Sequence, residues 1–304
     1  MLLGLAAAYG LSGRSLTLAL AFEVPLLAWS LRRWRLGWLR LPLWVLTALL
    51  PLRWAFSTDV LRGQVAAWVL AGGFALTVAA FLLAASWLRR PGDAPASGRL
   101  ATALTAVSLA LAVALVPLGV HRLLAPDEWL APPAGLWGWT LLVTGWALLG
   151  WLSLAGVRRW PEPEVWAQGG RGIVFLSVVA ALVGPGLAAN PALAHVAVGG
   201  RPVLNLVLVA YGVPCVLFAL LGRGLRARGD ATASRILAAG SLVFLFLLVT
   251  LEVRQAFRGG FLDAGAASHA ERYANSAAWI LLSTALQVAA KVRRWPALRY
   301  AALA

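Results

Sequence analysis

The chain has 304 residues, 61% of them hydrophobic and 12% charged, with a mean hydropathy of +0.82 and a formal net charge of +15. A soluble domain carries about 25% charged residues, and no soluble fold of this length has interior enough for so much apolar surface, so lipid must be the solvent for much of it. The positive charges sit in short clusters between apolar runs, a topology signal beside anionic headgroups, and no nucleic-acid motif accompanies them.

A helix crosses a hydrocarbon core of about 30 Å in roughly 20 residues. Apolar runs near that length predict spans over 15–31, 41–56, 65–88, 100–120, 136–157, 172–187, 203–221, 236–253 and 273–290. Barrel strands are short and alternate in polarity, and these runs do neither. The run 2–12 reads as the end of an earlier helix, and Trp295–Ala304 reads as the opening of a later one. The first positive charge, Arg14, follows an apolar run instead of preceding it, which is not the order of a signal peptide. The expectation is an all-α polytopic transmembrane helix bundle with nine complete spans and partial helices at both ends. It forms a single transmembrane domain over 1–304 with no soluble domain, cut from a longer protein.

The charges test this division. Loops after spans one, three, five, seven and nine hold 18 of the 26 positive residues, in clusters such as Arg32, Arg33, Arg35, Arg40 and Arg223, Arg226, Arg228, Arg235. The other side holds eight: Arg14, Arg53, Arg62, Arg122, Arg201, Arg254, Arg258 and Arg272. Rich and poor loops alternate along the whole chain, which places the arginine-rich loops in the cytoplasm. Trp34, Trp38, Trp87, Trp160 and Trp295 flank the rich clusters, and Trp54 and Trp129 lie near the other face, as interfacial anchors do.

Shorter signals mark the loops. Ser268 and Glu271 have capping-box spacing just before the ninth span. Arg-Arg-Trp occurs at Arg32–Trp34, Arg158–Trp160 and Arg293–Trp295, at intervals of four spans. Interfacial anchoring explains the triplet by itself. A parallel repeat would also pair spans two and six, interrupted by Pro51 and by Gly184-Pro185-Gly186.

Ionisable residues inside a membrane are costly, which makes them functional candidates. Glu23 lies near the middle of span one, two residues before Pro25. It can bind a cation or relay a proton beside a kink, or serve packing alone as a protonated or paired carboxyl. Glu252 and Gln255 share a face of span eight, and Arg254 and Arg258 share another. The arginines can hold a carboxylate or phosphate, or snorkel to the headgroups. Asn205, Tyr211 and Pro214 occupy span seven, where Asn and Tyr need hydrogen-bond partners. The candidate site residues are therefore Glu23, Asn205, Tyr211, Glu252 and Arg254. His121, Arg122, Asp127 and Glu128 form an outer loop with acid–base atoms but no recognisable spacing. Cys215 is the single cysteine and reads as a small buried apolar residue. There is no P-loop, Cys-x-x-Cys, His-Glu-x-x-His or Gly-x-Ser-x-Gly, so no metal and no cofactor is expected.

The last hundred residues carry a resemblance. Asn205-Leu-Val-Leu-Val-Ala-Tyr-Gly-Val-Pro214, Thr250-Leu-Glu-Val-Arg254, Arg272-Tyr-Ala-Asn-Ser-Ala-Ala-Trp279 and Arg294-Trp-Pro-Ala-Leu-Arg-Tyr300 resemble a bacterial family of large multi-spanning membrane proteins, domain of unknown function family 2339. The resemblance is clear over 203–304 and diffuse before it. It implies the bacterial cytoplasmic membrane and brings no reaction, substrate or cofactor. Three functions stay open: a transporter or flippase-like protein, a membrane scaffold that packs on partners or on itself, and an enzyme acting on lipid-linked substrate at the outer face. The expected partners are the lipid bilayer and other membrane proteins or a second copy, and not nucleic acid.

Overall fold

The structure, a computed structural model, describes residues 13–55, 67–89, 95–124, 135–157, 162–201, 203–263 and 265–293. The expected partial helices at 2–12 and 295–304 lie outside these residues, as do Asp127, Glu128, Arg158–Trp160 and Arg294-Trp295. Of the three Arg-Arg-Trp triplets, only Arg32–Trp34 can therefore be followed.

Each of the nine apolar runs becomes a helix. They are α1 (Gly13–Trp34), α2 (Arg40–Ala55), α3 (Ala67–Leu88), α4 (Pro95–Leu124), α5 (Gly135–Gly156), α6 (Pro163–Ala188), α7 (Leu208–Ala227), α8 (Ala231–Arg258) and α9 (His269–Arg293). Among the described residues the only β pairing is an isolated antiparallel bridge between Ala197 and Phe261. Six helices, α3 to α8, are long and apolar enough to cross a membrane. The nine complete spans expected from the runs thus reduce to six that meet this test. Helix α2 has only 16 residues. Helix α1 carries Glu23 and ends on Arg32 and Arg33. Helix α9 interrupts its apolar sequence with Asn275, Ser283, Thr284 and Gln287.

The helix ends follow local chemistry. Asp230 caps α8, accepting from Ala233 N at 3.1 Å, and α8 stops at Gly259, whose φ of 75° is a left-handed conformation that suits glycine. Ser268 Oγ accepts from Glu271 N at 3.1 Å, as the capping spacing predicts. The Glu271 carboxylate does not return to the cap; it is taken by Arg258.

Two segments depart from α geometry. Gly184–Ala188 ends α6 as a π turn, and Leu208–Gly212 opens α7 as another. The first coincides with the expected Gly184-Pro185-Gly186 interruption. The second precedes Pro214, whose missing N–H suits the start of the α segment at Val213. Pro51, in contrast, stays inside a continuous α2.

The chain divides into two compact units, one of residues 1–134 and 148–175, the other of 135–147 and 176–304. In the first unit α1 to α4 share a buried apolar core that includes Val24, Leu43, Leu50, Trp54, Phe81, Leu100 and Leu104. Small residues bring helices close, as they do where lipid offers no hydrophobic gain from burial. A Cβ on Gly150 would sit 2.6 Å from Val174, and one on Gly170 would sit 2.9 Å from Leu154. On the arginine-rich side Glu162 accepts from Thr102 Oγ1 at 2.9 Å and pairs with Arg89 at 3.3 Å. The second unit centres on the buried aromatic rings of Tyr211, Phe218 and Phe244, with centroids 5.7 and 6.0 Å apart.

Hydroxyls within the helices are spent locally. Thr47, Thr77, Thr105, Ser108 and Thr140 are buried, and each donates to the carbonyl four residues earlier. Thr77 Oγ1 also accepts from Trp54 Nε1 at 3.1 Å, which fixes the indole against Phe74. That indole needs glycine beside it, because a Cβ on Gly73 would lie 2.3 Å from its ring. Gly73→Ala should therefore cost about 1–3 kcal/mol by overpacking. Gly72→Ala, which meets nothing within 4 Å, should be near neutral. Unfolding of the two variants in mixed micelles, monitored by tryptophan fluorescence, checks the contrast.

Candidate functional site

Four of the five candidate residues lie in the second unit, on α7, on α8 and in the loop between α6 and α7. Glu23 belongs to the first unit, half-buried on α1 beside buried Pro25, and it is not without a partner.

The loop 189–207 folds over the end of the second unit. Asn190 starts it, donating to Gly186 O at 3.1 Å and accepting from Ala192 N at 3.0 Å. Val198 N then donates to Gly260 O at 2.9 Å, and Leu206 N returns to Val198 O at 3.0 Å. Asn205 closes the loop. Its Oδ1 accepts from Leu208 N at 2.8 Å, capping α7, while its Nδ2 donates to both Glu252 oxygens at 2.9 and 3.0 Å and to Gln255. Glu252 also accepts from Val203 N at 3.0 Å, and Gln255 Nε2 donates to Gly199 O at 2.6 Å. Glu252 and Gln255 are one helical turn apart on α8, so one face of α8 holds the loop at the backbone of Gly199, Arg201 and Val203.

The next face of α8 holds the following loop. Arg254 Nε donates to Leu262 O at 2.7 Å. Arg258 Nη1 donates to Gly265 O at 2.8 Å, and its Nε pairs with Glu271 at 3.1 Å. The Arg258 and Glu271 side chains are 8% and 3% exposed, so this pair is withdrawn from water. The face expected to hold a ligand carboxylate or snorkel to headgroups instead holds a carboxylate of its own chain. Arg254 stands farther off, 3.9 Å from Glu271.

At the rim, His195 Nδ1 lies 2.9 Å from Asp263 Oδ2, with its ring stacked on Phe261 at 4.5 Å. The hydrogen bond from His195 holds the Asp263 carboxyl below the ordinary carboxylate range. Below this cap Tyr211 is fully buried and donates its hydroxyl to Pro185 O at 2.6 Å. One hydrogen bond thus joins the two π turns.

Sequence reasoning placed Glu252 and Gln255 on one face of α8 and singled out Asn205 as a side chain in need of a partner, without joining the two. It missed Asp263 and the role of Glu271, since neither sits in an apolar run. The expected acid–base loop is also different. His121 and Arg122 are in the last turns of α4, not in a loop, while Asp127 and Glu128 lie outside the described residues. Cys215 is half-buried, and Ser241 donates to its carbonyl at 2.8 Å, tying α7 to α8. No group of three His, Cys, Asp or Glu able to hold a metal occurs among the described residues.

A family model matches the chain over residues 1–304, under the description Predicted membrane protein (DUF2339). The chain belongs to this family. No curated protein and no solved structure matches it. Family membership and the six apolar helices make it a multi-pass membrane protein in contact with the lipid bilayer.

Two outcomes follow for this DUF2339 chain. Asn205→Ala removes a side-chain donor to Glu252 and uncaps α7, and should cost about 2–3 kcal/mol in unfolding measured in micelles. Because the Asp263 pKa is lowered on folding, its stabilising contribution is complete above the ordinary carboxylate range and is lost as pH falls through the lower folded value. Amide protection around Val198 and Phe261, taken relative to the intrinsic exchange rate at each pH, should therefore hold through mildly acidic pH and fall only below that range.

Proposed function

We propose that the chain is a transporter of the flippase-like kind whose second unit is held in a closed form. The observation that carries this reading is the Tyr211–Pro185 hydrogen bond between two π turns. Turns of this type mark functional sites in helices. The cap above them rests on a few polar contacts, chiefly those of Asn205 with Glu252 and Gln255. A few kcal/mol divided among such contacts is the scale of a switch that opens and closes.

The finer topology belongs to the same proposal. Nine helices cross as one membrane domain without a soluble domain, in a bacterial cytoplasmic membrane, with the arginine-rich loops inside. The alternation of arginine-rich and arginine-poor loops supports the orientation. The resemblance to a bacterial family supports the compartment.

A scaffold is the second reading. It is favoured by the pairing of Glu252, Arg258 and Glu271 within the chain, which takes up their charged groups without a ligand. An outer-face enzyme has less behind it, because the sequence carries no catalytic motif.

The two leading readings separate in vesicles. The purified protein is reconstituted with a phospholipid carrying a fluorescent headgroup, and an impermeant reductant bleaches the outer leaflet. Tyr211→Phe and Asn205→Ala each remove contacts worth about 1 kcal/mol or more, so loss of protected fluorescence should quicken roughly fivefold over wild type. Rates equal to protein-free vesicles for wild type and both folded variants would exclude the transport reading for phospholipid and leave the scaffold.

A further inference from the structure

The first unit holds a cavity of about 670 Å³ between α2, α3 and α4. Its walls include Thr47, Pro51, Trp54, Phe74, Ala114 and Pro117. The polar groups of this wall are already used. Thr47 Oγ1 donates to Leu43 O at 2.6 Å, and Trp54 Nε1 donates to Thr77 at 3.1 Å. A resident water needs two to four polar partners, which these walls do not offer. The volume falls in the range of about 300–1,000 Å³ typical of ligand sites.

The walls differ in exposure. Trp54 and Phe74 are buried and form a fixed aromatic side, while Ala114 on α4 is exposed. The small residue leaves the cavity open on a helix that is apolar enough to cross the membrane. The medium outside such a helix is hydrocarbon, so the natural occupant is a hydrocarbon chain.

A second observation lies at one end. The membrane-crossing stretch of α4, Ser97–His121, closes on His121. This residue is four beyond Pro117, on the same helical face. Its Nε2 is buried and has no hydrogen-bond partner among the described residues. A buried ring nitrogen without a partner is costly, and an oxygen supplied by a ligand would relieve it. The end of the apolar stretch is where the ester and phosphate oxygens of a lipid lie.

We propose that this groove binds one acyl chain of a membrane phospholipid, with His121 Nε2 meeting an ester or phosphate oxygen at the chain's polar end. The aromatic side sets the depth of the chain, and Ala114 gives it entry from the bilayer. The site is in the first unit and needs no movement of lipid, so it stands or falls apart from the transport reading.

The full chain is reconstituted in nanodiscs with a trace of phospholipid carrying a photoactivatable diazirine on its acyl chain, and labelled peptides are mapped after illumination. Labelling should concentrate on 47–54 and 107–118. Ala114→Trp, which fills the groove, should lower that labelling about tenfold, with no change on exposed positions such as Leu220 and Phe175. Should Ala114→Trp fail to fold, Ala110→Leu narrows the same groove with a smaller side chain and is read in the same way. His121→Ala should lower retention of the lipid through detergent washing, and His121→Gln, which keeps a donor, should restore part of it. Label spread evenly over Leu26, Phe175 and Leu220, and indifferent to the filling variant, would overturn the site. Groove labelling and lipid retention untouched by His121→Ala would overturn the headgroup contact.

Discussion

Lipid accepts no hydrogen bonds, and that constraint shapes how the buried hydroxyls of the described helices are used. The hydroxyls of Thr47, Thr77, Thr105, Ser108 and Thr140 turn back to their own helices. Groups that cannot turn back reach a neighbour: Trp54 reaches Thr77, Ser177 reaches Val143, Ser241 reaches Cys215 and Tyr211 reaches Pro185. The last of these is the most consequential. Glycines and prolines disturb the regular bonding of α6 and α7, and a tyrosine from one takes up a carbonyl in the disturbed turn of the other. The π turns are thus held by the same economy that makes the rest helical.

The charged groups obey a related rule at the membrane boundary. A buried ion pair is costly to break because the remaining charge stays uncompensated. Arg258 and Glu271 are such a pair, and they fix the loop between α8 and α9. Asn205, Glu252 and Gln255 fix the loop between α6 and α7 without a cation among them, through amide and backbone donors.

Much of the fold was legible in the sequence, because apolar run length is a direct consequence of bilayer thickness. All nine runs are helices, and the Ser268–Glu271 cap is where its spacing puts it. Helical periodicity also placed Glu252 and Gln255 on one face. What was not legible depends on pairs far apart in the chain. His195 and Asp263 are 68 residues apart, and Asn205 is 47 from Glu252. The sequence offers no period that joins them. Glu271 was read as a helix cap from its local spacing, and its carboxylate went to a distant arginine in place of the local amide. The short α2 shows the other limit: composition marked it as a span, and its 16 described helical residues are fewer than those of the six helices long and apolar enough to cross.

The central claim, that the buried hydroxyls of the apolar helices are satisfied by protein and not by water, has a direct probe in the single native cysteine. Cys215 lies on α7 with its Sγ 3.5 Å from Ser241 Oγ, within the interior network. In native membranes it is treated with a water-soluble thiol reagent, alongside a variant carrying an added cysteine at the exposed position Leu193. An unreactive Cys215 beside a fast-reacting residue 193 is the expected result. Equal reaction at both would mean that water reaches the centre of the bundle, and the dry, internally paired interior would be contradicted.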